Sequence, residues 1–358
     1  MNELSIYIHI PFCRSKCGYC DFLSFEGCQG HIDDYVDALC RDIVHSADNF
    51  KGYGVATVFF GGGTPSLLNL EHLSKILWFL RTHFDLTISP KRSIECNPDT
   101  TDAAYLAGLQ GLGFERVSFG VQSFDDAHLA SLGRTHNSQT AVDAVKAAHE
   151  AGFGDVNIDL MFALPNQTID DFGRCLDMAI SLPITHISCY ALTMDGYEAN
   201  EDTDRTMYAL AKEKLKNAGF HHYEISNWSK VGYNCQHNMG YWTGREYLGL
   251  GLGASSYFKN GRFVKTENLN DYINGDHKFI LQEKLSIEAK MSEFMMLGLR
   301  LIKGISISQF MHKFGRSPFE VFGDFVDGEL IKWHGDKISL TARGLDLSNV
   351  AFQKFLLD

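Results

Sequence analysis

The chain has 358 residues, of which 45% are hydrophobic and 21% are charged, and its formal net charge is −12. This length predicts about two domains with a large buried core. An acidic chain lacks the basic face that phosphate backbones require, which excludes nucleic acid as a first candidate partner. No apolar run approaches the ~20 residues of a membrane-spanning helix, and residues 1–11 lack a signal-peptide pattern. We therefore expect a cytoplasmic protein.

The nine cysteines are not expected to form disulfides, because their number is odd and cytosolic thiols stay reduced. Three of them are clustered at Cys13, Cys17 and Cys20. The other six are scattered, several within apolar runs. We expect those six to behave as small buried hydrophobic side chains.

Strand-like and helix-like patterns alternate through the first 222 residues. Strands are predicted at 5–10, 56–60, 93–96, 116–121, 155–162 and 186–192. Helices are predicted at 33–47, 70–83, 103–112, 138–151, 169–181 and 203–217. Repeated units of this kind indicate an α/β protein with a parallel sheet, whose right-handed crossovers can curl it into a barrel. Active sites of such barrels lie at the C-terminal ends of the strands.

The alternation stops near residue 222. Residues 232–257 are rich in Gly, Asn and aromatic side chains, and we expect an ordered loop there. Helices are predicted at 288–303 and 307–314, followed by two short strands around Gly335-Asp336, a pattern typical of a small winged-helix module. With this net charge we expect that module to pack or to act as a lid rather than to bind DNA. The predicted domains are a barrel core (1–222), a connecting segment (223–285) and a C-terminal, mostly helical domain (286–358).

The first predicted strand is followed by Cys13, Cys17 and Cys20 at spacings typical of one short loop around a metal cluster. Thiolates are the ligands of iron–sulfur clusters, and three of them leave one iron of a [4Fe–4S] cluster open to another ligand. The next two positions are Asp21 and Phe22, so no fourth cysteine follows. Zinc is the alternative, but a structural zinc site needs four ligands and none completes it nearby. The spacing favours the cluster.

The sequence from Tyr7 to Phe22 resembles the radical S-adenosylmethionine superfamily, and within it the oxygen-independent coproporphyrinogen dehydrogenases and the HemW heme chaperones. The resemblance extends over nearly the whole chain. It implies a partial (β/α)6 barrel in which the open iron chelates S-adenosylmethionine, and in which an electron from the cluster cleaves that cofactor to a 5′-deoxyadenosyl radical. It also implies an electron donor such as flavodoxin or ferredoxin.

Residues at successive strand ends match the superfamily's cofactor motifs. Gly62, Gly63 and Thr64 follow the second strand, where glycines permit close backbone approach to a ligand. By resemblance, the other residues that line or flank the cofactor pocket are Tyr7, Tyr19, Glu95, Gln122, Arg134 and Asp159. Structural pairing of the polar strand residues, for example Glu95 with Arg134, is the alternative. In the dehydrogenases some of these positions contact a second S-adenosylmethionine, and whether one binds here stays open.

The sequence His237-Asn238-Met239-Gly240-Tyr241-Trp242 resembles the His-Asn-x-x-Tyr-Trp signature of HemW proteins. Imidazole is a common axial ligand of heme iron, and flat aromatic rings pack well on a porphyrin. His237 is therefore predicted as a heme ligand. A structural role is the alternative for this residue, and Cys235 is a rival ligand.

Two functions compete for this chain. One is a chaperone that binds heme and delivers it to a recipient hemoprotein, through which the protein would contact a membrane when the recipient is membrane-bound. The other is an enzyme that converts two propionates of coproporphyrinogen III to vinyl groups. The dehydrogenases carry a fourth cysteine where this chain has Phe22, and a long arm where about six residues precede Tyr7. These differences and the His237 motif favour the chaperone, and a radical enzyme acting on heme itself is a third alternative.

Overall fold

The computed structural model describes residues 2–86, 89–197 and 200–357. The strands are β1 (Asn2–Ile10), β2 (Phe12–Cys13), β3 (Phe25–Glu26), β4 (Tyr53–Gly62), β5 (Lys91–Cys96), β6 (Arg116–Gln122), β7 (Asp155–Phe162), β8 (His186–Ala191), β9 (His221–Glu224), β10 (Asn227–Ser229), β11 (Glu246–Leu250), β12 (Ser255–Phe258), β13 (Gly261–Val264), β14 (Ile280–Lys284), β15 (Ile305–Ser306), β16 (Ile331–His334) and β17 (Lys337–Leu340). The helices are α1 (Ile32–Ala47), α2 (Leu70–His83), α3 (Ala103–Gly111), α4 (Asp126–Ser131), α5 (Ser138–Glu150), α6 (Ile169–Ser181), α7 (Glu201–Asn217), α8 (Gln236–Trp242), α9 (Leu269–Ile273), α10 (Ile287–Gly298), α11 (Ile307–Phe314), α12 (Pro318–Phe322), α13 (Ala342–Asp346) and α14 (Ser348–Gln353). Among these helices none has the length and apolar composition needed to cross a membrane.

One sheet organises the first two thirds of the chain. Its strands β1, β4, β5, β6, β7 and β8 are neighbours in that order and run parallel, with a helix in each connection. The alternation of strands and helices in the sequence predicted this arrangement, and the α/β class with a partial (β/α)6 barrel is confirmed. The six strand predictions agree with the observed bounds to within three residues.

Side-chain caps start the helices of the barrel. The side chains of Asn69, Asp102, Asn137 and Thr168 each accept a hydrogen bond from a backbone N–H in the first turn of α2, α3, α5 and α6. These N–H groups have no partner within the helix, so each cap satisfies a donor that would otherwise be lost. The buried faces of these helices join the apolar side chains of the strands in one continuous core.

The segment 232–257, which we expected to be a loop, contains a helix and two strands. After α8, strand β11 pairs in parallel with β1 on the side away from β4, and β12, β13 and β14 extend the sheet in antiparallel order. Leu248 and Leu250 of β11 are fully buried. A Cβ on Gly249, between them, would lie 2.2 Å from the carbonyl oxygen of Ser255. The glycine therefore permits close packing of two strands rather than marking a loop.

A fully buried ion pair ties α1 to the end of this added segment. The Lys265 ammonium lies 2.8 Å from Oδ1 of Asp42, and both side chains have no exposed surface. Asp42 also accepts hydrogen bonds from the Tyr272 hydroxyl (2.9 Å) and from the backbone N–H of Gly251 (3.1 Å). Burial lowers the pKa of Lys265, although the neighbouring Asp42 opposes that shift. The Asp42 carboxylate is thus held by hydrogen-bond donors of Gly251, Lys265 and Tyr272, which are all in the added segment.

The C-terminal part has its own core and a three-stranded sheet in the order β15–β17–β16, packed with α10 and α11. The hairpin of β16 and β17 turns at Gly335-Asp336, as the sequence predicted. The helix predicted at 288–303 ends at Gly298 instead. A Cβ there would lie 2.3 Å from the Ile305 side chain, so the chain turns where it packs closely on β15. The domain bounds given above stay a prediction.

Replacing Asp42 with Ala should lower the free energy of unfolding by about 3–5 kcal/mol, because it leaves the buried Lys265 ammonium without its partner. Urea unfolding followed by circular dichroism measures the difference. Asp37→Ala is the matched control on the same helix, since the ion pair of Asp37 with Lys75 is exposed and is worth less than about 1 kcal/mol. Equal losses in the two variants would contradict the structural role of Asp42.

Candidate cofactor site

The three clustered cysteines follow β1, at the edge of the sheet where the parallel strands have their carboxyl ends. Cys13 is buried in β2, and Cys17 and Cys20 are half-buried in the loop that follows. All three line one cavity, which we call the cluster cavity. The Thr64 hydroxyl donates to Sγ of Cys13 (3.6 Å), and Nη1 of Arg134 donates to Sγ of Cys17 (3.5 Å). Both donors therefore point at sulfur atoms of the cysteine set.

The donor set fits a cubane cluster. Each thiolate of such a cluster binds a different iron, so its ligands do not converge on one point. In the part of the chain that the structure describes, no three His, Cys, Asp or Glu side chains are gathered around one point as ligands of a single metal ion. Side-chain donors directed at Cys13 and Cys17 suit sulfur atoms that carry negative charge.

The glycines after β4 allow the backbone to lie against the cysteine loop. Gly62 has a φ of 112°, and a Cβ there would lie 2.5 Å from the ring of His9. A Cβ on Gly63 would lie 2.7 Å from the carbonyl oxygen of Phe12 and 3.0 Å from Sγ of Cys13. Larger residues at these positions would displace the loop or fill the cluster cavity, so the geometry requires glycine.

His9 is a site residue that the sequence analysis did not single out. Its Nε2–H donates to the carbonyl oxygen of Leu23 (2.8 Å), which leaves Nδ1 to accept a hydrogen bond from the Tyr7 hydroxyl (3.1 Å). Burial lowers the pKa of His9 and keeps the ring neutral. The histidine therefore fixes both the cysteine loop, through Leu23, and the Tyr7 ring. The sequence feature that could have identified His9 was its position on β1, two residues after Tyr7.

Two carboxylic acids face a second cavity of about 540 Å³ inside the barrel, which we call the barrel cavity. Glu95 accepts a hydrogen bond from the Gly62 N–H (3.2 Å), and burial and the nearby Asp159 raise its pKa to about 8. Asp159 accepts from Nδ2 of Asn157 (2.9 Å), and burial raises its pKa. Both acids also line the cluster cavity, so the two cavities are contiguous.

Arg134 and Glu95 do not pair with each other among the described residues. Nη2 of Arg134 donates to Oδ1 of Asn97 (2.8 Å) and to the carbonyl oxygen of Gly120 (2.7 Å). The guanidinium thus braces the ends of two strands at the rim of the cluster cavity. The pair of Glu95 with Arg134 is thus absent from the described residues, whereas Arg134 and Asp159 each have other protein partners.

Gln122 ends β6 with a φ of 65°, a conformation that L-residues other than Asn and Asp rarely adopt. Its side chain lines both cavities. Such strain costs roughly 1–3 kcal/mol and persists where the surrounding structure imposes it. Tyr19 also lines both cavities, while Tyr7 lines the barrel cavity alone. The predicted site residues are thus brought together around one connected space.

His237 lies in α8 and not in a loop, and its side chain is only 3% exposed. Its Nδ1 lies 2.9 Å from Oγ1 of Thr57, and its Nε2 lies 2.9 Å from the Tyr241 hydroxyl. The ring stacks on Phe59, with centroids 4.9 Å apart. Burial, followed by the charge of Arg245, lowers its pKa to about 3. His237 borders the barrel cavity, but direct ligation of iron would require one of these hydrogen bonds to break.

The floor of the barrel cavity carries polar residues that sequence patterns did not reveal. Arg116 is buried and pairs with Asp155 at 2.6 Å, but its Nε has no partner in the described residues. His186 and Asn157 continue the buried network. These side chains alternate with apolar residues along β6, β7 and β8. The alternation in the sequence shows that they share one face of the sheet, but it does not show which of them contact each other.

Comparison with known proteins agrees with these features. Residues 7–179 match the model of the radical SAM superfamily, and residues 285–347 match the HemN C-terminal domain. The heme chaperone HemW of Bacillus subtilis is 33% identical, with 98% of this chain and 99% of that protein covered. HemW of Lactococcus lactis is 31% identical over 99% of this chain and 97% of its own length. HemW of Escherichia coli is 35% identical over 87% of this chain and 86% of its own length.

The chain belongs to the HemW family of the radical SAM superfamily. A solved structure of coproporphyrinogen III oxidase (HemN) from Escherichia coli, a radical SAM enzyme, superposes with a TM-score of 0.88. That match covers 99% of this chain and 90% of the other, at 22% sequence identity, and it shows the shared fold. Membership of the superfamily implies a [4Fe–4S] cluster and S-adenosylmethionine as cofactors.

Cys17→Ser should abolish the brown absorbance and the iron content of anaerobically reconstituted protein, because an alcohol does not replace a thiolate as an iron ligand. Iron and sulfide analysis measures the loss. Cys28→Ser is the matched control, since Cys28 is a free cysteine outside the cluster cavity, and it should keep a full cluster. Four irons per chain in the Cys17 variant would refute the ligand assignment.

The pKa of Glu95 predicts a pH dependence of stability in cluster-free protein. Between its ordinary value of 4.5 and about 8, the folded state holds a proton that the unfolded state has lost. Glu95 therefore makes stability fall as pH rises through this window, and Glu95→Gln should remove that contribution. Urea unfolding at a series of pH values measures the difference between wild type and variant. Glu150→Gln, which changes an exposed carboxylate, is the control, and a pH-independent Glu95 difference would contradict the prediction.

Proposed function

We propose that this protein is a heme chaperone that binds heme beside its cluster and S-adenosylmethionine, and that it passes the heme to recipient hemoproteins. The observation that carries the proposal is the helix α8, whose His237 and Tyr241 side chains border the barrel cavity. The curated HemW relatives, which match this chain over almost its full length, are named heme chaperones. The cytoplasm is the proposed location of this exchange.

The residues around the cluster cavity suit S-adenosylmethionine. We propose that Cys13, Cys17 and Cys20 hold the cluster and that the Gly62–Thr64 backbone approaches the methionine end of the cofactor. The other proposed contacts are Tyr7, Tyr19, Glu95, Gln122, Arg134 and Asp159. When bound, the cluster supplies an electron and an open iron site. The protein's own groups orient the cofactor, and the Glu95 and Asp159 oxygens accept hydrogen bonds from its hydroxyl or amino groups.

The barrel cavity suits a large, partly apolar ligand. Its volume of about 540 Å³ lies within the roughly 300–1,000 Å³ of typical small-molecule pockets. Aromatic rings of Tyr7, Phe59, Tyr190 and Tyr241 line it, and they offer flat surfaces for a macrocycle. Arg116 is the cation at its floor that could pair with a propionate.

The second candidate is a coproporphyrinogen III dehydrogenase, which the related fold of HemN supports. Phe22 argues against it, because this residue occupies the position of the fourth cysteine in those enzymes. Its side chain is 62% exposed and lies where the two cavities meet. The curated relatives are named chaperones, which favours the first candidate.

An anaerobic assay separates the two functions. Reconstituted protein is incubated with S-adenosylmethionine, a reductant and coproporphyrinogen III, and the porphyrin products are separated by chromatography. We expect no protoporphyrinogen, with the HemN enzyme as positive control. The same preparation should bind ferric heme and transfer it to an apo-hemoprotein added in excess. Protoporphyrinogen formation would make this protein the dehydrogenase, and failure to bind heme would refute the chaperone.

A further inference from the structure

The residues His237 and Tyr241 form a hydrogen-bonded pair on one face of α8. They are four positions apart, the spacing at which helical side chains meet. The imidazole has no nitrogen free, because Nδ1 is bound to Thr57 and Nε2 to the Tyr241 hydroxyl. It is also enclosed by Phe59 and is 3% exposed. An iron atom in the barrel cavity would therefore not find a lone pair on His237.

The oxygen of Tyr241 is different. A phenol has one O–H donor, here directed at His237, and two lone pairs that can accept. Apart from His237, this oxygen has no hydrogen-bond partner within residues 2–86, 89–197 and 200–357. The Tyr241 side chain is half-buried, lines the barrel cavity, and is held in place by an edge-on contact with Tyr247 at 4.9 Å. The accessible ligand atom of the motif is thus an oxygen.

We infer that Tyr241 binds ferric heme iron through its phenolate oxygen and that His237 and Thr57 are positioning residues for that phenolate. The inference rests on the proposed heme-binding function. Tyrosinate is an established axial ligand of heme iron in proteins, and its anionic oxygen suits the ferric state. The charges are complementary, since one negative oxygen meets the single excess positive charge of a ferric porphyrin core.

The proton balance is simple. The O–H bond of Tyr241 breaks, the bond between the ferric iron and its water ligand breaks, and a bond between the iron and the phenolate oxygen forms, so that one water and one proton are released to solvent for each heme bound. No electron is transferred. The imidazole stays neutral by exchanging its tautomer, so that Nε2–H donates to the phenolate oxygen. Nδ1 then accepts from the Thr57 hydroxyl, which can rotate to donate, since a hydroxyl acts as donor or acceptor.

Other candidate ligands in the cavity are less suited. Burial raises the pKa of both the Cys235 thiol and the Tyr241 phenol, but the Cys235 side chain is only 2% exposed, whereas that of Tyr241 is half-buried. The Tyr7 hydroxyl is already bound to His9. Tyr190 is 40% exposed and lines the same cavity, but no histidine supports its hydroxyl in the described residues.

The test is a titration of cluster-reconstituted protein with ferric heme, followed by electron paramagnetic resonance and resonance Raman spectroscopy. Wild type should show a high-spin ferric heme with phenolate vibrations. Tyr241→Phe should lose these vibrations and bind heme about tenfold more weakly or worse, a change of about 1.4 kcal/mol. Thr57→Val and His237→Ala should keep the phenolate vibrations at a shifted frequency, because they change only the hydrogen bonding of the oxygen.

Tyr53→Phe and Tyr257→Phe, whose rings do not line the barrel cavity, are the matched controls and should give the wild-type spectrum, and iron and sulfide content checks that each variant folds around its cluster. An unchanged spectrum in Tyr241→Phe, with loss of heme in His237→Ala, would make His237 the ligand and overturn the inference. A wild-type protein that binds no heme at all would overturn the proposed function together with it.

Discussion

The parallel pairing of β11 with β1 is the constraint on which the functional part of the molecule depends. It brings a segment more than 230 residues away in sequence back to the first strand, directly beside the cysteine loop. The helix α8 precedes β11, so this pairing also fixes His237 against Thr57 of β4. Asp42 secures the far end of the same segment through donors from Lys265, Tyr272 and the Gly251 backbone. Without the pairing of β11 with β1, the barrel would lack a strand on that side, and α8 with His237 would lie outside the barrel.

Many polar side chains of the site position other parts of the site through hydrogen bonds. His9 fixes Tyr7 and the cysteine loop, and Arg134 joins two strand ends while it donates to Cys17. Burial in such a network disfavours charge, which explains why the pKa of Glu95 rises and that of His237 falls. Polar groups so arranged are pre-oriented for a ligand, and water has little to reorganise when the ligand enters.

Much of the fold could be predicted from the sequence because strands and helices of a β/α barrel differ in period and length. The strand at 155–162 and the helices at 70–83 and 169–181 were predicted with their observed bounds. The segment 232–257 was missed because glycines and aromatic residues resemble a loop locally. Its strand exists only because Gly249 packs against Ser255 and β11 finds β1, and both contacts are tertiary. The spacing of the cysteines indicated the ligands of the cluster, whereas His9, Asn157 and Arg116 depend on neighbouring strands that periodicity cannot specify.

The cluster cavity and the barrel cavity share Glu95, Gln122 and Asp159 as a common wall. Two ligands that occupied the two spaces would therefore share these side chains. Whatever change one ligand caused in the binding free energy of the other, the second would cause an equal change in return. A ligand in one cavity would thus act as an effector for a ligand in the other, even where no chemistry passes between them.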